Sequence, residues 1–215
     1  MIGTGAFTSL GFQLKDLNNP SVVLTLWVLG GILALSGAFS YAEVGTVISK
    51  SGGEYAFLSK IYNPLIGYLS GWISLTVGFA APIALAAIAF SEYFPFGNFN
   101  VKWMSIALVA VITLIHTRSL KLSAEFQNIS TLLKVILIVI IISIGLVLPE
   151  HSDNEIVSSK EYFTELTSTA FAIALIYVSY SYSGWNAAAY ITEEFENPLK
   201  SLPKALIGGT VLVTV

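Results

Sequence analysis

Residues 166–190 constrain this chain most, because they are long enough to cross a bilayer and yet interrupt their own helix. A spanning helix needs about 20 apolar residues, and no Asp, Glu, Lys or Arg occurs between Leu166 and Tyr190. The middle of this stretch, from Val178 to Asn186, has the sequence VSYSYSGWN. Hydroxyl side chains and glycine favour local side-chain bonds and special backbone angles over helix. We therefore predict a transmembrane helix that unwinds between Val178 and Asn186.

Unwound backbone inside hydrocarbon indicates a binding site. Each N–H or C=O group without a partner costs several kcal/mol there, so unwinding is tolerated only against protein, water or ligand. A second interruption, Gly3-Thr4-Gly5, opens the short apolar run from Ala6 to Phe12. Two glycine-interrupted membrane segments in corresponding positions of two halves point to a transporter site. The alternative is that Gly and Ser only let neighbouring helices pack closely.

The composition excludes most soluble classes. Of 215 residues, 55% are hydrophobic and 11% are charged, whereas soluble domains carry about 25% charged residues. We predict a multi-pass integral protein of the cell membrane, plasma or inner. No signal peptide is visible, and residues 205–215 stay apolar but are too few to span. We therefore expect the sequence to be part of a longer protein.

No pattern of catalytic or metal-binding residues is found. The chain has no cysteine, and neither His116 nor His151 has ligand candidates at metal spacing. Triads, phosphate loops and nucleotide fingerprints are missing from the sequence, and no basic cluster suggests nucleic acid. We predict no enzyme, no cofactor, no metal and no nucleic-acid partner.

Hydropathy predicts four further spans, over residues 22–48, 65–91, 103–116 and 129–148. Pro82 should kink the second of these, because proline removes a backbone donor. The predicted connections are polar and cover residues 15–21, 50–54, 92–102, 118–125 and 149–165. The last is acidic and long enough to carry a short surface helix.

Lysine and arginine counts predict the orientation. If connections alternate sides, one side receives Lys50, Lys60, Arg118, Lys121, Lys200 and Lys204, and the other receives Lys15, Lys102 and Lys160. The more basic side faces the cytoplasm. The acidic loop then lies outside, and the broken helix runs inward.

Lys134 is a predicted coupling residue. It follows Glu125 by nine residues, which places it roughly 13 Å along the helix and near mid-bilayer. A lysine at that depth costs about 2.5 to 3.5 kcal/mol and must face a partner or a wet cavity. The alternative is that the Lys134 side chain snorkels to the membrane surface, but about 13 Å is a long distance for one side chain. We hypothesise that Lys134 is a protonation switch, and we interpret Glu43, only seven residues from Lys50, as structural.

Several motifs together resemble the amino acid, polyamine and organocation (APC) superfamily, and especially its amino acid permease branch with the L-type exchangers. They occur in order over nearly the whole chain: IGTGAF from Ile2, YAEVG from Tyr41, KSGGEY from Lys50, residues 128–134, YSYSGWN from Tyr180, TEE from Thr192 and Asn197-Pro198. The resemblance implies an all-α transporter fold of two inverted repeats of five helices, whose first and sixth helices are discontinuous. The first repeat would cover about residues 1–149 and the second would begin at about 162, both in one transmembrane domain that is truncated at both ends.

The same resemblance implies a substrate site. The first-helix break, Ile2, Gly3, Thr4 and Gly5, would bind the carboxylate of an amino acid, which suits the positive start of a helix. Carbonyls around Tyr180, Ser181, Tyr182 and Ser183, beside Gly184, would take the amine. Tyr180 would also close an outer gate, Asn186 would contact substrate or unwound backbone, and Lys134 would stand where related transporters hold sodium. Ser183 replaces a frequent glycine, which leaves the substrate size open.

The predicted function is therefore a secondary transporter for amino acids that works by alternating access, as a proton symporter or an exchanger. Its partners would be the substrate, the bilayer and protons, and an accessory subunit stays undetermined. Two alternatives remain: a non-transporting amino acid receptor or subunit, and an inactive permease fragment.

Overall fold

A computed structural model describes residues 3–17, 19–94, 100–147 and 160–214. Throughout these ranges the regular structure is helical, and no strand occurs in them. Four helical stretches are long and apolar enough to cross a bilayer: Pro20–Val47, Pro64–Tyr93, Val101–Arg118 and Lys121–Val147. Each overlaps one of the four predicted spans, but the last begins eight residues before the predicted start at Ile129. The all-helical, polytopic membrane architecture is thereby confirmed, whereas the inverted repeat stays a prediction.

We number the described α-helices in chain order. They are α1 (Thr4–Asp16), α2 (Pro20–Val47), α3 (Glu54–Ile61), α4 (Pro64–Ile73), α5 (Ala81–Tyr93), α6 (Val101–Arg118), α7 (Leu120–Val147), α8 (Lys160–Leu166), α9 (Thr169–Ser181) and α10 (Pro198–Thr214). A π-helix, Ser74–Ala80, joins α4 to α5, and a 3₁₀-helix, Ala187–Glu194, precedes α10.

The helices form two compact units. Residues 1–74 and 154–215 contribute to the first, whose described helices are α1–α4 and α8–α10. Residues 75–153 contribute to the second, which holds α5–α7.

Helix α2 is the centre of the first unit. Its start is fixed by Pro20 in the first turn and by the Asn19 side chain, which accepts a hydrogen bond from Ser21 N at 2.9 Å. Helices α9 and α10 both pack on it. Leu26 and Val178 are fully buried in the cluster that joins α2 to α9.

Glycines let these helices approach α2 closely. A Cβ atom added at Gly30 would lie 2.3 Å from Val178 Cγ1, and one at Gly37 would lie 2.7 Å from the Trp185 ring. Such contacts between small residues and neighbouring helices are typical of membrane bundles. Glycine therefore serves close packing along α2.

In the second unit, α5 packs on α6 and α6 on α7. The buried Ser105 hydroxyl lies 3.0 Å from Ser91 Oγ and 2.8 Å from Val101 O. The predicted charged connector over residues 118–125 is wrong, because Ser119 alone separates α6 from α7. Lys, Leu and Glu are good helix formers. The charged residues of this stretch therefore lie within helix, although their charges led us to predict a connection between two spans. Lys134 lies in the middle of α7 and is half-exposed in the described structure.

A π-helix lies just before Pro82, where we predicted a kink, and the kink itself stays a prediction. The i→i+5 bonding of Ser74–Ala80 ends at the residue before Ala81-Pro82. Proline cannot donate to the ladder and clashes with the carbonyl four residues earlier, so a wider turn just before it relieves the conflict.

Three other predicted boundaries shift. Helix α1 continues through Lys15 and ends at Asp16, which shortens the expected loop over residues 15–21. The last helix begins at Pro198, seven residues before the apolar run that starts at Ala205. In the acidic loop, a short helix is described over Lys160–Leu166, while residues 148–159 lie outside the described residues.

Candidate functional site

The start of α1 lies against the end of α9. The Ser181 hydroxyl is 3.0 Å from the Gly5 carbonyl oxygen and 2.6 Å from the Ser9 hydroxyl. Ser9 and Ser181 are 2% and 4% exposed, so both hydroxyls are satisfied inside the protein. Farther along the two helices, the Phe12 and Tyr177 rings stack with centroids 5.4 Å apart.

Position 5 has little room for a side chain. An added Cβ atom would lie 3.0 Å from Ser181 Cα and 3.0 Å from Tyr180 Cδ1. The first of these neighbours is backbone, which cannot rotate away. The sequence motif therefore places two main chains in direct contact at this point.

A polar network ties this junction to α2. The buried Gln13 side chain donates to Ser9 Oγ at 3.4 Å and accepts from Trp27 Nε1 at 2.9 Å. Three helices are thereby joined by side-chain hydrogen bonds from Trp27 through Gln13 and Ser9 to Ser181.

The predicted break in the second segment begins later than expected. Helix α9 continues through Val178 and ends at Ser181, so residues 178–181 are helical and the prediction is wrong for them. Ser179 and Ser181 donate to carbonyls of their own helix, Leu175 O at 2.8 Å and Tyr177 O at 2.9 Å. Hydroxyls that bond back in this way are compatible with helix. The segment also starts later, because α8 ends at Leu166 and Ser168 caps α9.

From Tyr182 to Asn186 the chain is not α-helical. Ser183 N bonds to Tyr180 O at 3.0 Å, and Gly184 adopts φ +91°, a left-handed conformation that suits glycine. Short-range bonds then continue into the 3₁₀-helix, whose Ile191 departs from helical angles at φ −122° and ψ 30°. The helix is thus broken between Ser181 and Ala187.

At the first break, the structure places the helix start at Thr4. Gly3 is extended and gives no side-chain cap, whereas Thr4 and Gly5 belong to the first turn. The predicted break is therefore wrong for Thr4 and Gly5, which are helical. Gly3 is the extended residue before the helix, and Ile2 lies outside the described residues, so a break before α1 stays a prediction. The first N–H groups of a helix have no partner within it. At the junction, the N–H end of α1 lies beside the C=O end of α9.

The predicted site residues separate into groups. Gly5, Tyr180 and Ser181 meet at the junction. Tyr182 is 5% exposed and turns its ring to α2, where its hydroxyl donates to Trp27 O at 3.2 Å. Ser183 and Gly184 are exposed.

The Asn186 side chain lies in another cluster, with Glu54, Tyr41 and Tyr190. The sequence analysis placed Glu54 in a polar connection and in the KSGGEY motif, but assigned it no role in the site. The signal that could have identified it is a carboxylate that follows two glycines and begins an apolar segment. Among the described residues, no three His, Asp or Glu side chains form a group that could hold a metal.

These features define a class: a multi-pass integral membrane protein in which the start of one helix meets the end of a broken helix. Comparison with known proteins identifies the family. The family model described as "Amino acid permease" matches residues 1–215. The chain belongs to this family.

Relatives match over the whole chain. The chain is 36% identical to the b(0,+)-type amino acid transporter 1 of Homo sapiens, of which it covers 46%. It is 32% identical to the human "Cystine/glutamate transporter", with 44% of that protein covered. It is 30% identical to the human "Large neutral amino acids transporter small subunit 2", with 42% covered. The chain thus spans less than half the length of these relatives, all of which are named as transporters.

Proposed function

We propose that the full-length protein is a secondary active transporter that moves amino acids across the membrane by alternating access, as a proton symporter or an exchanger. One observation supports this proposal: the start of α1 meets the end of α9, where that helix breaks, so that ends of opposite polarity lie together and Ser181 contacts Gly5. Membership of the amino acid permease family supports amino acids as the substrate class.

An amino acid suits such a junction because it carries both charges on one carbon. Free N–H groups at a helix start are equivalent to about half a positive charge. In our proposal those of Ile2, Gly3, Thr4 and Gly5 bind the carboxylate. Carbonyls from Tyr180 to Ser183 bind the amine, and the substrate side chain extends toward Ser183 and Gly184, both exposed.

The proposed roles of the tyrosines differ. Tyr180 is half-buried beside Gly5, a place from which its ring can close over a bound amino acid as an outer gate. Tyr182 contributes through its backbone, because its ring is committed to Trp27. Asn186, at the end of the break away from Ser181, contacts the substrate or the unwound backbone in our proposal.

The cycle we propose uses the family's inverted-repeat fold. Residues 1–149 supply the first repeat and residues from about 162 begin the second. The segments that contain the breaks move against a scaffold that includes the third and fourth membrane helices. The half-exposed Lys134 acts as a built-in cation and protonation switch.

Uptake into proteoliposomes tests the proposal. The full-length protein is given a panel of labelled amino acids at two pH values, with and without internal amino acid. Flux that requires internal amino acid indicates exchange, and flux driven by a proton gradient alone indicates symport. Binding without any flux would favour a receptor and contradict transport.

Lys134→Ala tests the coupling step. We expect at least about a tenfold loss of uptake, or a loss of its pH dependence, since removing a mid-membrane cation changes the energy of one state of the cycle. Lys121→Ala, an exposed lysine near the start of the same helix, is the matched control. Unchanged uptake and unchanged pH dependence in Lys134→Ala would show that Lys134 is no switch.

A further inference from the structure

Glu54, the first residue of α3, binds side chains from two other segments. Its Oε1 atom accepts hydrogen bonds from Tyr41 Oη of α2, at 3.0 Å, and from Asn186 Nδ2. Its Oε2 atom accepts from Tyr190 Oη of the 3₁₀-helix. All four residues, which we call the Glu54 cluster, are half-buried. A carboxylate with three neutral donors makes hydrogen bonds of the stronger, charge-assisted kind.

The backbone beside Glu54 adds further bonds to the same segment. Gly52 N donates to Tyr190 O and Gly53 N donates to Ala189 O, each at 3.2 Å. Glu193 N donates to Ser51 Oγ at 3.0 Å. A Cβ atom at Gly53 would lie 2.6 Å from the Tyr190 ring, so this approach requires glycine. Residues 51–54 therefore hold one side of the 3₁₀-helix.

The 3₁₀-helix depends on such external contacts. Its hydrogen-bond geometry is poorer than that of an α-helix, and runs beyond 3–4 residues are uncommon. Here the helical angles already fail at Ile191. The position of residues 186–194 is consequently set by what holds them from outside, and Glu54 is the charged group among those contacts.

The cluster also reaches the break itself. Asn186 is the last residue of the non-helical turn that begins at Tyr182, and its amide is turned toward Glu54. The ring of Tyr41, which donates to Glu54, packs edge-on against Trp185 with centroids 4.8 Å apart. Glu54 thus contacts the turn both directly and through one ring.

We propose that Glu54 is a positioning residue, which sets the path of the second half of the broken helix and thereby the affinity of the break for its amino acid. This inference rests on the proposed transport function. Glu54 acts through Asn186 and Tyr190 and does not itself touch substrate.

The first test uses the full-length protein in proteoliposomes. In Glu54→Ala, the KM for the best substrate of the uptake panel rises about tenfold, as expected when a charge-assisted bond that orients Asn186 is lost. The maximal rate per folded transporter changes less than the KM. Glu43→Ala removes an exposed carboxylate of α2 as the matched control, and its KM stays within about twofold. A Glu54→Ala variant that folds and keeps the wild-type KM overturns the proposal.

A swap of the two side chains separates positioning from simple stability. Asn186→Asp places two carboxylates in contact and raises the KM. Combining it with Glu54→Gln restores one amide, now at position 54, facing one carboxylate, now at position 186. The Tyr190 hydroxyl can still donate a hydrogen bond to that carboxylate. We expect the KM of the double variant to lie within about threefold of the wild-type KM. This difference is smaller than the increase of about tenfold expected when the hydrogen bond is lost. A double variant no better than Asn186→Asp contradicts the inference.

A second measurement does not need transport. The described chain has no native cysteine, so Ser51→Cys and Glu193→Cys can be introduced as a reporter pair, with any cysteine outside residues 1–215 replaced. Crosslinking of this pair in membranes should become at least about fivefold slower when Glu54→Ala is added. If Glu54→Ala leaves the crosslinking rate unchanged, Glu54 does not position this segment, even if the protein takes up amino acids. Absence of amino acid uptake and binding in the wild type would instead refute the proposed function, while the crosslinking result still decides the role of Glu54.

Discussion

Helices α2 and α7 have the same length, 28 residues each, and both are apolar, yet they differ in what surrounds them. Of the most apolar 18-residue window, 39% is buried in α2, whereas none is buried in α7 within the described structure. Hydropathy alone does not distinguish the two helices.

Small residues at the contacts make the difference. Helix α2 has Gly30, Gly37 and Gly45 where α9, Trp185 and Leu202 approach it. In α7 the side chains between residues 132 and 142 are almost all Leu, Ile or Val. Gly145 has no atom within 4 Å of an added Cβ, so a glycine by itself does not create a contact. Within the described residues, another element covers the small residues of α2 but not the glycine of α7, and close packing at small residues is typical of membrane helices.

The largest expected effect comes from filling the contact on α2. Gly30→Leu forces a side chain into Val178, whose Cγ1 already lies 2.3 Å from an added Cβ. We expect a loss of about 3 kcal/mol of the free energy of unfolding, at the upper end for overpacking. Unfolding of the full-length protein by SDS in mixed micelles measures it. Gly145→Leu in α7 is the control and should change stability by less than about 0.5 kcal/mol. Equal losses of stability in both variants would contradict the difference in packing between α2 and α7.

Next comes the junction of α1 with α9. Gly5→Ala pushes on Ser181 Cα, 3.0 Å away, and should separate the two helix ends. We expect amino acid uptake by the full-length protein to fall about tenfold, equivalent to 1.4 kcal/mol. An added Cβ at Gly11, in the same helix, meets no atom within 4 Å, so Gly11→Ala should retain uptake. Normal uptake by Gly5→Ala would remove the close junction from the mechanism.

A smaller effect is expected for the serine pair. Ser181→Ala removes the local bond to Tyr177 O together with the bonds to Gly5 O and to Ser9 Oγ, and it leaves the buried Ser9 with the longer 3.4 Å contact to Gln13. The expected cost is about 1 kcal/mol of unfolding free energy. Ser143→Ala in α7 removes only a bond to Val139 O of its own helix. If the two variants lose equal stability, the bond between helices contributes nothing beyond a local one.

The smallest effect should come from the exposed side of α7. Ile140 is 48% exposed, so Ile140→Leu alters shape where no described neighbour packs tightly. We expect a change within about 0.5 kcal/mol in the same SDS titration. Val22→Leu, at a fully buried position of α2, is the contrasting variant and should cost more than about 1 kcal/mol.

Sequence alone located the spans because span length and apolarity are local properties. It misplaced boundaries where helix includes charged residues, as at residues 118–125 and at Lys15. Charged residues mark the edge of the bilayer, but they do not stop a helix unless a cap or proline does.

Sequence also foresaw an interrupted helix but not where it unwinds. The composition around Ser179 and Ser181 suggested early unwinding, yet both hydroxyls bond to their own helix. The Ser181 hydroxyl is also shared with Gly5, a partner 176 positions away. The hydrogen bonds of Glu54 were missed for the same reason, since its donors Asn186 and Tyr190 are more than 130 positions distant.

The left-handed backbone of Gly184 restricts how this turn can diversify. A residue with a side chain is strained at φ +91°, by roughly 1–2 kcal/mol, so position 184 cannot easily change. The neighbouring Ser183 is exposed and has no such restriction. Evolution can therefore enlarge or shrink the space next to the turn by exchanging one side chain while the path of the main chain is inherited intact.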